Sequence, residues 1–320
     1  MTLVIILAIV GIVAVFLFPR PRTPDVPLGL TFSRLYAEQL GVDWREAYQA
    51  MLIDLQPAQV RLPVYWSDIE PERGVFRFEE YDWMVEEARK HNVSVMLAIG
   101  RKVPRWPECF APDWIHARID AAQRQDGLEM IRAVVTHFQR EEHLAAWQVE
   151  NEPFLLFGQC PPIDLVSYQE EVELVRSLDD RPIALSVSGE LEPWFHAVPF
   201  ADQVGFSLYR LTWSRIFGFW AYPLQPSFYR ARVVALRPFV ESVYVSELQG
   251  EPWFHRPIES LTPDEQVRMF SPRMLEANVA FARRIGADRI DLWGVEWWWW
   301  MNKHGHPELW DAARKIFGTM

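Results

Sequence analysis

The chain has 320 residues, half of them hydrophobic and 23% charged, enough apolar material for a substantial core in one large domain or two ordinary ones. A net charge of −11 without any basic run argues against nucleic acid as a partner. Sixteen tryptophans are many for this length; some must pack a core, and the rest suit ligands that present flat C–H faces, sugars above all.

Thr2 to Phe18 is an unbroken apolar run without a charge, followed by Pro19, Arg20, Pro21 and Arg22. Its length is at the lower limit for a spanning helix, and no small-residue cleavage signature follows it. The expectation is a single-pass membrane anchor with the start of a linker over residues 1–22, ahead of one catalytic domain over 23–320. The arginines after the run favour a cytoplasmic domain, a rule that weakens when a long domain follows. Cys109 and Cys160 would pair only in an oxidising compartment. The side of the membrane stays open, with a lean towards the outside.

Short apolar runs of β character then alternate with amphipathic segments. Strands are expected at 28–32, 59–63, 94–99, 146–150, 183–187, 203–207, 243–246 and 289–293. Helices are expected at 44–55, 79–91, 121–139, 164–178, 192–198, 227–239, 263–285 and 307–317. Asp164 is suited to cap a helix amino end, and prolines near two helix starts cost no hydrogen bond. Strict β-then-α alternation implies a parallel sheet with right-handed crossovers, and eight units close most simply into a (β/α)8 TIM barrel. An open doubly wound sheet is the alternative, but the turn after the first strand lacks the glycine-rich sequence such sheets carry.

In such a barrel the functional groups sit at the carboxyl ends of the strands. The fourth strand runs into Asn151, Glu152 and Pro153, and the proline forces the chain out of the sheet there. The seventh ends at Glu247, so two acids distant in the chain face a shared axial pocket. Paired carboxylates across a pocket serve glycosidic cleavage, one donating a proton and the other attacking or stabilising a cationic centre. Arg61 on the second strand and the Tyr209 hydroxyl after the sixth would keep Glu247 ionised. Glu152, without an obvious cation, would keep its proton. Trp66, Trp293 and Trp297 are candidate sugar platforms at strand tips. Glu150, Glu190, Glu251 and Glu296 read as supporting or surface acids. His304 and His306 have a metal-ligand spacing but lie in the last loop, so neither a metal nor an organic cofactor is expected.

This ordered set resembles the clan A glycoside hydrolases, with the cellulase-type family five and the β-galactosidase-type family forty-two as the nearest relatives. The stretch from Arg61 to Phe76 is similar to the one these enzymes carry after strand two. The resemblance implies a retaining mechanism with Glu152 as acid/base and Glu247 as nucleophile. It also implies Asn151 as partner of the sugar 2-hydroxyl, Arg61 and Tyr209 as positioners of Glu247, and Trp293 as a platform. Two positions depart from the family-five pattern: Ser207 stands where a histidine is common, and so do Gly100 and Arg101 after strand three. Arg101 is a candidate cation for an acidic sugar. The expected partner is a carbohydrate substrate and the expected state a monomer. The rival readings are a non-catalytic carbohydrate-binding barrel and a transglycosylase using the same acids.

Overall fold

The computed structural model of the chain describes residues 25–161, 163–214 and 216–319. Eight parallel strands close into a barrel: β1 (Leu28–Thr31), β2 (Gln59–Pro63), β3 (Ser94–Ile99), β4 (Leu144–Val149), β5 (Ile183–Ser188), β6 (Gln203–Leu208), β9 (Ser242–Gln249) and β10 (Ile290–Trp293). β10 returns to pair with β1, and every barrel pairing is parallel. Two further strands, β7 (Leu211–Ser214) and β8 (Gly218–Ala221), form an antiparallel hairpin outside the barrel. The eight expected strands overlap the eight barrel strands; the hairpin was not expected.

The period of two along each strand separates two environments. Val60 and Leu62 of β2, and Val95, Leu97 and Ile99 of β3, join the outer core beneath the helices. Met96, Ala146, Ala184 and Tyr244 form a small separate cluster within the barrel. Gly205 is required there: a Cβ would fall 2.7 Å from Ser246 Cβ and 2.8 Å from Tyr244 Cζ.

The helices overlap the expected ones, with short additional helices at Arg34–Gln39 and Trp66–Ile69 and the following further differences. The segment expected at 263–285 is two helices, Pro263–Met269 and Pro272–Arg283. Pro272 lacks an N–H and holds Ser271 extended, which breaks the run. The segment expected at 192–198 is one 3-10 turn, Trp194–Ala197. The tryptophan run 297–300 lies within a helix of its own, Val295–Lys303. Asp164 caps Leu165–Leu178 as expected, accepting from the Val166 and Ser167 N–H groups at 3.0 Å.

The expected single-pass membrane localisation must be corrected. No helix among the described residues is long and apolar enough to cross a membrane. The longest, Asp120–Phe138, carries Asp120, Arg124, Asp126, Glu129 and Arg132 along its length, and such charges are expensive in hydrocarbon. The apolar run Thr2–Phe18, on which the anchor rested, lies outside the described residues.

Candidate active site

β4 leaves the ladder at Val149, and the next residues turn sharply. Glu150 (φ 57°) and Glu152 (φ 42°) both take left-handed backbone, a conformation costing such residues about 1–3 kcal/mol and often found at functional sites. Glu150 turns under the loop after β3. Its carboxylate accepts from the Arg101 and Lys102 N–H groups at 2.8 and 2.5 Å. It also occupies the space over Gly100, where a Cβ would fall 2.4 Å from the Glu150 Cδ. Burial pushes its carboxyl up to about 7. Glu150 therefore clamps a loop and stands apart from the pair.

Asn151 Oδ1 accepts from Gln148 Nε2 at 3.1 Å and from the Ser186 hydroxyl at 3.0 Å. Its Nδ2 is buried with no protein partner, and a buried donor left unpaired is costly unless something else accepts from it. The Glu152 N–H donates to Ser186 Oγ at 2.9 Å, and the Ser207 hydroxyl donates to Glu152 Oε1 at 2.7 Å.

Glu247 owes its direction to an irregularity in β9. Phe206 pairs with Val245 but Ser207 pairs with Glu247, and the β10 side shows the same slip. One extra residue around Ser246 therefore bulges the strand, which re-aims the side chain that follows. Glu247 Oε1 accepts from Arg61 Nη2 at 2.8 Å and Oε2 accepts from the Tyr209 hydroxyl at 3.0 Å. Arg61 is itself fixed by Thr31 Oγ1 at 2.9 Å and Gln148 Oε1 at 3.0 Å. β2 neighbours neither β4 nor β9, so these bonds cross the barrel interior. Burial and then the Glu247 charge hold the Tyr209 phenol well above its ordinary value, which keeps it a donor.

The two acids flank one residue. Ser207 is in register with Glu247, and its hydroxyl is bonded to Glu152. The pair is asymmetric, because Arg61 and Tyr209 donate to Glu247. Burial, and then the Glu247 charge, push Glu152 up to about 8, against a smaller downward pull from the Ser207 hydroxyl. Glu152 is thereby suited to hold a proton at neutral pH.

A cavity of about 650 Å³ is bordered by Tyr209, Trp293, Arg105, Glu108 and Glu251, with Trp106, Trp213 and Trp253 along its apolar side. Glu152 (6% exposed) and Glu247 (4% exposed) are not themselves in its wall. Tyr209 connects the wall to Glu247, and the Trp293 ring lies 5.9 Å from the Arg61 guanidinium. Trp293 is held in place by its Nε1–H, which donates to Glu251 Oε1 at 2.8 Å.

Arg61, Asn151, Glu152, Tyr209, Glu247 and Trp293 are thus gathered at one end of the barrel. Trp66 and Trp297 are not with them. Trp66 is buried against Trp114, with its Nε1–H on Glu70 Oε2 at 2.6 Å. Trp297 is fully buried, and its Nε1–H donates to Gln266 Oε1 at 2.8 Å. Neither leaves a ring face for a sugar, and both placements are corrected. Trp297→Ala is expected to destabilise the protein by about 3–5 kcal/mol while leaving the KM of any glycoside substrate within twofold, as read by melting and kinetics; a KM effect with unchanged melting would reject the packing role. Arg101 also stays outside the cavity wall, its guanidinium donating to the Pro161 carbonyl at 3.4 Å.

Like Arg256, Arg105 is a cation that does border the cavity. It is bonded to Glu251 and, at 2.6 Å, to Glu296 Oε2, and its guanidinium lies over the Tyr36 and Trp293 rings. Arg105 and Glu108 had no sequence signal, since their loop is aperiodic. Ser207 stood out only as a departure from the family-five pattern. His304 bonds the Trp300 carbonyl at 2.7 Å and His306 pairs with Asp264 at 3.2 Å. Among the described residues, no cluster of His, Cys, Asp and Glu has the makings of a metal centre. Cys109 and Cys160 form a disulfide that joins the loops after β3 and β4.

The barrel is similar in fold to solved glycoside hydrolases, the class that the sequence resemblance pointed to. The β-galactosidase family model (Glyco_hydro_42) matches residues 43–160, the part that contains Arg61, Asn151 and Glu152. Among solved structures, the chain is similar to a polyextremophilic β-galactosidase from Halorubrum lacusprofundi, at 16% identity and TM-score 0.56. That match covers 83% of this chain and 52% of that one, so the chain spans about half the β-galactosidase's length. It is also similar to a glycosylated endo-β-1,4-xylanase of family 10 from Gloeophyllum trabeum, at 16% identity and TM-score 0.55, covering 86% of each chain. A third is GH5_18 from Streptomyces cattleya, solved with GlcNAc, at 13% identity and TM-score 0.56, covering 84% of this chain and 70% of that one.

Proposed function

We propose that the protein is a retaining glycosidase that cleaves β-linked sugars by double displacement with Glu247 and Glu152. The observation that carries this reading is the asymmetric acid pair about Ser207: one carboxylate supplied with donors by Arg61 and Tyr209, the other raised to about 8. In the first step Glu247 attacks the anomeric carbon while Glu152 gives its proton to the departing glycosidic oxygen. In the second, Glu152 takes a proton from water as that water displaces Glu247 and restores the original configuration. Asn151 Nδ2, which has no protein partner, is available to the sugar 2-hydroxyl, and Trp293 borders the cavity. The similarity to β-galactosidases and xylanases supports the class of substrate.

The test is incubation with 4-nitrophenyl β-galactoside, β-glucoside and β-xyloside, following the configuration of the first-formed sugar by NMR. Release of the β-anomer supports the reading; the α-anomer, or no turnover of any substrate in an extended panel of oligosaccharides, overturns it.

Two pH effects follow. Glu152 must be protonated to act as acid, so kcat/KM is expected to fall as pH rises through about 8. The Ser207 hydroxyl lowers Glu152 by bonding its charged form. Ser207→Ala is therefore expected to move the alkaline limb to higher pH. A limb that stays in place or moves down would reject the assignment of that limb to Glu152.

A further inference from the structure

The mechanism above uses two carboxyls that lie outside the cavity wall, but Glu108 and Glu251 stand in that wall. Glu108, in the loop after β3, borders the cavity and is 7% exposed. Its Oε2 is buried with no hydrogen-bond partner in the protein. The nearest cation, Lys102 Nζ, is 3.7 Å away, beyond a hydrogen bond. Lys102 donates to the Glu152 and Leu155 carbonyls at 2.8 and 3.0 Å and pairs with Glu108 only at the longer distance.

Several independent features hold this side chain in place. Glu108 takes left-handed backbone (φ 60°), and its N–H donates to the Arg105 carbonyl at 2.6 Å. The adjacent Cys109 is tied to Cys160 in the loop after β4. Gln159 N–H donates to the Pro107 carbonyl at 2.9 Å, closing the same two loops on each other. Gly158 makes room between them: a Cβ there would fall 2.9 Å from Glu108 Cβ and 3.4 Å from Oε2. A surface acid would need none of these constraints.

We propose that Glu108 is a specificity-determining residue that hydrogen-bonds the sugar held at Glu152 and Glu247, through a ring hydroxyl on the side facing the β3 loop. This rests on the glycosidase reading. Burial, and then the Glu152 charge, hold the Glu108 carboxyl well above the usual range. Its unpartnered Oε2 can accept from a sugar hydroxyl, which has a proton to donate. A site built to bond a hydroxyl rejects the analogue that lacks it, because its own buried polar atom is then left unpaired.

The experiment compares the full chain with Glu108→Ala and Glu108→Gln on whichever 4-nitrophenyl β-glycoside it hydrolyses, together with that glycoside's singly deoxygenated analogues. Thermal melting checks that each variant folds. In the parent chain one deoxy analogue, other than the 2-deoxy, is expected to lose about tenfold or more in kcat/KM. In Glu108→Ala that same loss shrinks to within about twofold while the other analogues keep their parent-chain losses. Glu108→Gln, which retains an acceptor, preserves the discrimination. Deoxy losses that are the same in Glu108→Ala and the parent chain overturn the proposal and leave the glycosidase reading intact. If Glu108→Ala fails to fold, Glu108→Met on the same substrates decides between these outcomes. No turnover of any glycoside by the parent chain overturns both.

Discussion

Glu247→Gly is expected to hydrolyse aryl β-glycosides on the order of 10⁴-fold more slowly than the parent chain, and added azide is expected to restore much of the loss. The variant removes the attacking oxygen but leaves Arg61, Tyr209 and Glu152 around the vacated space. A small anion can enter that space, attack the anomeric carbon and leave as a glycosyl azide. A single displacement inverts configuration, so a β-glycoside should give the α-glycosyl azide. Glu152→Gln is expected to lose comparably on substrates with poor leaving groups and much less on those with good ones, which need no proton. Azide that fails to rescue Glu247→Gly, or that yields the β-azide, would reject Glu247 as the nucleophile.

Arg61→Met is expected to lower folding stability by about 3–5 kcal/mol, the typical cost of breaking a buried ion pair by deleting one partner. Both Arg61 and Glu247 are nearly inaccessible in the pair. The same substitution strips donors from Gln148 Oε1 and Thr31 Oγ1, so three acceptors lose their partner together. Activity should fall as well, because Glu247 would be held by Tyr209 alone. Denaturant unfolding with kinetics checks both. A change below about 1 kcal/mol would show that the crossing guanidinium bonds contribute little to the barrel.

The barrel was legible in the sequence because eight β-then-α units leave few ways to satisfy a parallel sheet. The acid pair was legible because Asn151, Glu152 and Glu247 sit where barrel strands run out. The means of aiming them was not. Counting by twos from Tyr244, which faces the barrel interior, puts Ser246 inward and Glu247 outward; only the bulge in β9 reverses this, and no residue type announces a bulge. Tryptophan was a poor guide to facing, because one ring serves a core as readily as a sugar. Trp297 follows the fully buried Glu296 on a helix whose inner side it shares. Arg105 and Glu108 escaped notice because their loop has no period, and its path depends on a cross-link to a segment some fifty residues on (sequence separation 51).

The hairpin of β7 and β8 is fastened to the barrel by Gln249, whose amide exchanges two hydrogen bonds with the Leu211 backbone at 2.9 and 2.8 Å. Its Trp213 and Ser214 border the cavity, while Trp220, on the opposite face from Trp213, is exposed. None of the bonds that hold Glu152 or Glu247 passes through it. Trading this ribbon for a longer or shorter one would resize the groove and leave the bond-breaking chemistry alone, so substrate length and turnover could be tuned as separate inheritances.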